Sequence, residues 1–202
     1  MAVVNLKKRQ IECKIVYYGT ARCGKTTNLE YIHRTFTQNV KGEMISINTD
    51  GDRTLFFDFL PLEAGKLKDC DVRVQLYTVP GQVRYSSTRK LVLRGADGIV
   101  FVADSLTVRR EQNMVALKDL QQHLRGYNLS ILKIPLVMQF NKRDLNDAGV
   151  SLMSIEQMTH ELNRQLKVPA FPAAALNGMG VAKTLQECLR RVLRHLLQEL
   201  NF

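Results

Sequence analysis

Gly19-Thr20-Ala21-Arg22-Cys23-Gly24-Lys25-Thr26 reads G-x-x-x-x-G-K-[ST], the spacing of a phosphate-binding loop. Glycines let the backbone fold tightly enough for successive N–H groups to point at phosphate oxygens, and a helix N-terminus behind them adds a favourable dipole. In that chemistry Lys25 reaches the β- and γ-phosphates and the Thr26 hydroxyl binds Mg²⁺. The context agrees: the apolar run Ile15-Val16-Tyr17-Tyr18 precedes the loop, and Leu29, Ile32 and Phe36 follow at helical spacing.

A second constellation lies far downstream. Asn141-Lys142-Arg143-Asp144 reads N-K-x-D after the apolar run Ile134–Phe140. The Asp144 carboxylate offers two acceptors side by side, matching the two adjacent donors on guanine, N1 and the 2-amino group. Adenine lacks that donor pair, and a polar site left unpaired rejects such an analogue strongly. Asp144 therefore disfavours an ATPase.

The elements that must position these residues alternate between strand and helix. Apolar segments predict strands over 12–18, 44–47, 54–60, 72–79, 98–103, 134–140 and 171–175. Helical patterns cover 26–37, 86–94, 108–125, 154–166 and 181–199. Ser154 with Gln157 has the form of a capping box, and Val181, Leu185, Cys188, Leu189, Val192 and Leu196 form a buried stripe. The continuously apolar 98–103 reads as a central parallel strand. Alternating β and α with phosphate chemistry at a strand end predicts an α/β three-layer sandwich with a mostly parallel central sheet, ligands lying beyond the carboxyl ends of its strands.

Composition narrows the function classes. The 202 residues suit one domain, 1–202, and 24% charged with 45% hydrophobic residues is an ordinary globular mix. No apolar run is long enough to span a membrane, and the N-terminus lacks the form of a signal peptide. Cys13, Cys23, Cys70 and Cys188 form no C-x-x-C pair and read as reduced thiols of a cytoplasmic protein. No prenylation or myristoylation signal is present, so no lipid anchor is expected. The net charge of +10 is scattered, without the aromatic interleaving of an RNA-binding module, so no nucleic acid partner is expected. The densest basic group, Arg190, Arg191, Arg194 and His195, reads as a solvated helix face.

Between the two motifs lie Asp52-Arg53-Thr54-Leu55-Phe56-Phe57-Asp58-Phe59 and Thr78-Val79-Pro80-Gly81-Gln82. Ras-like GTPases carry D-x-x-G followed by glutamine at the second position; here Thr78 replaces the aspartate. With the Lys14–Gly19 lead-in and Asn141–Asp144, these segments make the chain closely resemble the MglA-type bacterial Ras-like GTPases, regulators of cell polarity and motility. The resemblance spans nearly the whole chain and implies the Ras-like P-loop GTPase fold, GTP/GDP and Mg²⁺ as ligands, and slow GTP hydrolysis. It implies nucleotide contacts from Gly19, Thr20, Ala21, Arg22, Cys23, Gly24, Lys25, Thr26 and Thr27, from Thr54 and Gly81, from Asn141, Lys142 and Asp144, and from Ala174, Ala175 and Leu176. Thr26 and Thr54 are the implied metal ligands, Arg53 an arginine finger in cis, and Gln82 the residue that orients water. Ras-like proteins also carry S-A-K after the last strand. Here Ala175 matches the middle alanine, whose backbone N–H binds guanine O6. A homodimer of MglB-like roadblock-fold protein is the implied activator, polarity or motility effectors the implied switch partners, and recruitment to a cell pole the implied localisation.

Two departures bear on the chemistry. Ala21 stands where glycine is common beside the γ-phosphate, so its methyl can crowd the attacking water. Thr78 brings no negative charge to the Mg²⁺ shell; Asp52 or Asp58 could stand in through water, and the spacing does not choose between them. Two functions follow: a GTP-hydrolysing switch, supported by Arg53 and Gln82, and a GTP-bound scaffold with negligible hydrolysis that recruits polarity partners.

Overall fold

The strand leading into Gly19 is apolar on both faces, and the sheet is built around it. In the computed structural model, residues 3–5, 7–47, 57–81 and 85–199 are described. Strand β2 (Gln10–Gly19) is flanked in parallel by β5 (Cys70–Thr78) and β6 (Gly98–Asp104). Beyond β6 come β7 (Leu136–Asn141) and β8 (Ala170–Pro172), also parallel. Beyond β5 the sheet turns antiparallel through β4 (Phe57–Leu67) and the edge strand β3 (Ile45–Ile47). A short β1 (Val3–Asn5) pairs antiparallel with the first residues of β2.

Alternation along β2 divides the core in two. Ile11, Cys13, Ile15 and Tyr17 pack with Leu29 and Ile32 of α1 (Lys25–Thr35) and with Val181, Leu185, Cys188, Val192 and Leu196 of α5 (Val181–Glu199). Val16 and Tyr18 face Val92 and Leu93 of α2 (Ser86–Leu93) and Ala116, Leu120 and Leu124 of α3 (Arg110–Arg125). Helices thus cover both faces, and the three-layer arrangement is the one expected. All seven residues of β6 are buried, as a central parallel strand requires.

Three features depart from the sequence expectation. Strand β1 was not anticipated. Strand β4 continues to Leu67 instead of ending at residue 60, because its second half is an antiparallel, half-solvated ladder on β5. Pro61, Glu63, Gly65 and Lys66 there look like loop residues, and the register shifts between Glu63 and Lys66. The helix expected over 154–166 is α4 (Ile155–Met158) followed by a π-helical turn, Thr159–Asn163. Its start is as read: Gln157 N–H donates to Ser154 Oγ at 3.1 Å. Among the described residues no helix is long and apolar enough to cross a membrane.

Candidate functional site

The parallel strands β2, β5, β6, β7 and β8 present their carboxyl ends along one edge, and the two motifs meet there. Between Gly19 and Lys25 the chain makes a tight loop with Arg22 at φ +61° and Gly24 at φ +100°. Left-handed residues turn successive N–H groups toward a common centre, the geometry of an anion nest. Lys25 is only 6% exposed, and its ammonium donates to the carbonyls of Gly19 (3.2 Å) and Thr20 (2.6 Å). Cys23 is fully buried; desolvation pushes its thiol pKa up against the pull of Lys25, so the loop carries a protonated thiol.

Asn141 ties this loop to the base side. Its Nδ2 donates to Cys23 O at 2.8 Å, and its Oδ1 accepts the Ala175 N–H at 2.8 Å. The contact explains Gly24: a Cβ there would lie 2.2 Å from Asn141 Nδ2. Lys142 adopts φ +70° and caps the 3₁₀ segment Arg143–Ala148, while its ammonium pairs with the fully buried Asp104 carboxylate at 2.6 Å. Arg22, Gly24, Thr27, Asn141, Lys142, Asp144, Ala175 and Leu176 line a cleft of about 260 Å³. Ala174 lies behind it, buried, with its N–H donated to Met179 O.

The Ala175 N–H, matched to the guanine O6 donor, is held by Asn141 Oδ1. The amide of Leu176, also on the cleft wall, has no hydrogen-bond partner among the described residues.

On the opposite side a polar row crosses three strands. Ser46 on β3, Asp58 on β4 and Thr78 on β5 are cross-strand neighbours. Asp58 Oδ1 accepts from Ser46 Oγ (2.8 Å); Oδ2 accepts from Thr78 Oγ1 (2.7 Å) and from Thr26 Oγ1 (2.6 Å). The Asp58 N–H returns a bond to Thr78 Oγ1 at 2.9 Å. A carboxylate on the strand beside Thr78 is thus directed at the phosphate-loop threonine. Hydroxyl and carboxylate oxygens are hard donors of the kind Mg²⁺ takes, usually with several waters and phosphate oxygens, so the residues fit that ion. Beyond β5, Gly81 presses on the phosphate loop: a Cβ there would lie 2.3 Å from Ala21 Cα. Asp52, Arg53, Thr54 and Gln82 lie outside the described residues.

Sequence reading missed several contributors. Asp104, one residue beyond the apolar run 98–103, was not singled out, although an acidic residue at the end of that strand was the available signal. Tyr18, His123 and Ser86 form a chain behind β2, with Tyr18 Oη and Ser86 Oγ each 3.0 Å from one ring nitrogen of His123. No local pattern announces contacts between such distant positions.

Comparison with known proteins identifies the family. The family model described as Ras family matches residues 14–194. The chain is similar to Mutual gliding-motility protein MglA of Myxococcus xanthus (strain DK1622), 48% identical over 97% of this chain and 98% of that protein. It is more distantly similar to Ras-related protein Rab-7b of Mus musculus, 23% identical over 92% of this chain and 85% of that protein. Ras-related protein Rab7 of Drosophila melanogaster is 25% identical over 89% of this chain and 80% of that protein.

Proposed function

The chain belongs to the Ras family, as a small GTPase of the MglA type, and from that premise we propose that residues 1–202 act as one G domain switching between GTP and GDP states to govern cell polarity or motility. The observation that carries the reading is Asn141, which joins the loop around Lys25 to the cleft wall containing Asp144 and so unites phosphate and base recognition in one site. Lys25 and the loop amides hold the phosphates. Asp144 accepts the paired donors of guanine, and the Leu176 N–H is the donor for its O6.

Thr26 and Thr54 hold Mg²⁺, with Asp58 supplying the nearby negative charge. Bound there, the ion would supply positive charge to offset the negative charge that develops on the phosphates. In hydrolysis, water attacks the γ-phosphorus, the bond to the β–γ bridging oxygen breaks, and GDP and phosphate separate. Gln82 orients that water and Arg53 offsets charge on the transferring group, the two demands of phosphoryl transfer once the nucleotide is positioned. A roadblock-fold dimer of the MglB kind activates by ordering those two residues. Effectors bind the switch segments in the GTP state, and the protein works in the cytoplasm with recruitment to a cell pole.

Phosphate release from GTP, measured with and without such a dimer, tests the reading. Slow release that the dimer accelerates is expected. No release above background with a competent activator would instead identify a non-hydrolysing scaffold.

A further inference from the structure

Beneath the nucleotide cleft lies a second layer of amide contacts that meets the cleft wall at the Gly24 carbonyl. Asn28 and Gln139, both fully buried, form a reciprocal pair: Asn28 Nδ2 donates to Gln139 Oε1 at 2.8 Å, and Gln139 Nε2 donates back to Asn28 Oδ1 at 2.9 Å. Asn28 Nδ2 also donates to Gly24 O at 2.8 Å, the last carbonyl of the phosphate loop. On the other side Gln139 Nε2 reaches Thr184 Oγ1 at 3.3 Å, and Thr184 Oγ1 donates to Gly180 O at 2.6 Å. The chain of bonds thus runs from the end of the phosphate loop to the residue that closes the base-side loop before α5.

Gln139 sits two residues before Asn141 on β7, so both side chains leave the same face of that strand. Asn141 ties the two loops at the level of the ligand; Gln139 ties the elements carrying them one level deeper. Tyr17, Leu29, Val137 and Leu185, from the elements that carry or flank this pair, belong to one apolar core cluster. Hydrocarbon would fill this space without the desolvation cost of burying two amides. What amides add is direction: a paired network holds its elements at one spacing, whereas apolar packing tolerates sliding.

We propose that Asn28, Gln139 and Thr184 are positioning residues that hold the phosphate loop and the base-side loop at a fixed separation and thereby set the rate of nucleotide release. This rests on the reading of the cleft as a GDP/GTP site. Neither amide touches the ligand. Both act through Gly24, Asn141 and Gly180, so their loss shows as faster release of a nucleotide still bound in the same pose.

The test is the release rate of preloaded fluorescent GDP, chased with excess GDP in Mg²⁺, for Asn28→Leu, Gln139→Leu, the exchange pair Asn28→Gln with Gln139→Asn, and Thr184→Val. Each variant is also melted with saturating GDP. The two leucine variants are expected to release GDP about tenfold faster, because each leaves one buried amide unpaired. The exchange pair keeps one long and one short amide and is expected to return to within about threefold of the unmodified rate. Thr184→Val keeps the volume and is expected to speed release about threefold with little change in melting, which decides the matter if the leucine variants do not fold. Leucine variants that melt lower yet release GDP at the unmodified rate would overturn the proposal, as would an exchange pair no slower than the single variants. Unmodified protein that retains no GDP would overturn the nucleotide reading itself, a result distinguishable from the other two.

Discussion

The Asp58 carboxylate and the Thr26 hydroxyl lie 2.6 Å apart, so among the described residues the carboxylate at the phosphate-loop threonine comes from β4 and not from the strand end where D-x-x-G would place it. Thr78 occupies that strand end and donates to the same carboxylate oxygen. A charge-assisted hydrogen bond contributes about 1.5–3 kcal/mol, roughly a tenfold to hundredfold effect. Asp58→Asn is therefore expected to weaken GDP retention by that factor in Mg²⁺ and to leave it unchanged in EDTA. Titrating release rate against Mg²⁺ checks this; an unshifted Mg²⁺ midpoint would count against Asp58.

Arg53 and Gln82 were assigned by resemblance to the phosphoryl-transfer step. Replacing Arg53→Ala is expected to lower activator-stimulated phosphate release by about 10³-fold while GTP affinity stays within about threefold. Single-turnover release with saturating activator, alongside equilibrium GTP binding, separates the two effects. Unchanged turnover would remove the finger role.

Asp144 lines the base cleft with Lys142 and Leu176. Asp144→Asn replaces one acceptor by a donor, which suits xanthine, where C2 carries an oxygen. GDP affinity is expected to fall by about two orders of magnitude or more while XDP affinity rises. Competition titrations of the two nucleotides give the answer, and persistent guanosine preference would mean that the cleft has been misread.

His123 bridges Tyr18 and Ser86. Its pKa is held below the ordinary 6.5 by burial first, then by the Arg89 charge, with Lys90 adding and Asp119 opposing. A depressed histidine binds its proton more readily in the unfolded chain. Stability is then full above about pH 6.5 and declines as pH falls toward the lowered folded value. The melting temperature is expected to drop between about pH 7.5 and about pH 5.5, and the drop to shrink in His123→Gln. Parallel slopes for the two proteins would exclude His123 as the source.

What the sequence revealed and concealed follows from range. The phosphate loop and the base motif are contiguous, and each sits at a strand end marked by its own apolar run, so Lys25, Thr26, Asn141 and Asp144 could be read directly. The alternation of β and α gave the layers. Asp58 as the partner of Thr26, and Asp104 as the partner of Lys142, depend on which strands lie side by side, which no local period encodes. The second half of β4 was hidden because one of its faces meets solvent and a register shift interrupts the alternation. The guanine loop is harder to read, because three successive alanines, Ala173 to Ala175, offer no side-chain landmark.

A carboxylate carried on a pleated strand cannot drift. Side chains return to the same face only at every second residue, so a slip of β4 along its neighbours would exchange Asp58 for Leu60, a fully buried hydrocarbon in the next inward position. Charge opposite Thr26 is quantised by that geometry: the full anion stands there, or grease does, and no intermediate setting exists.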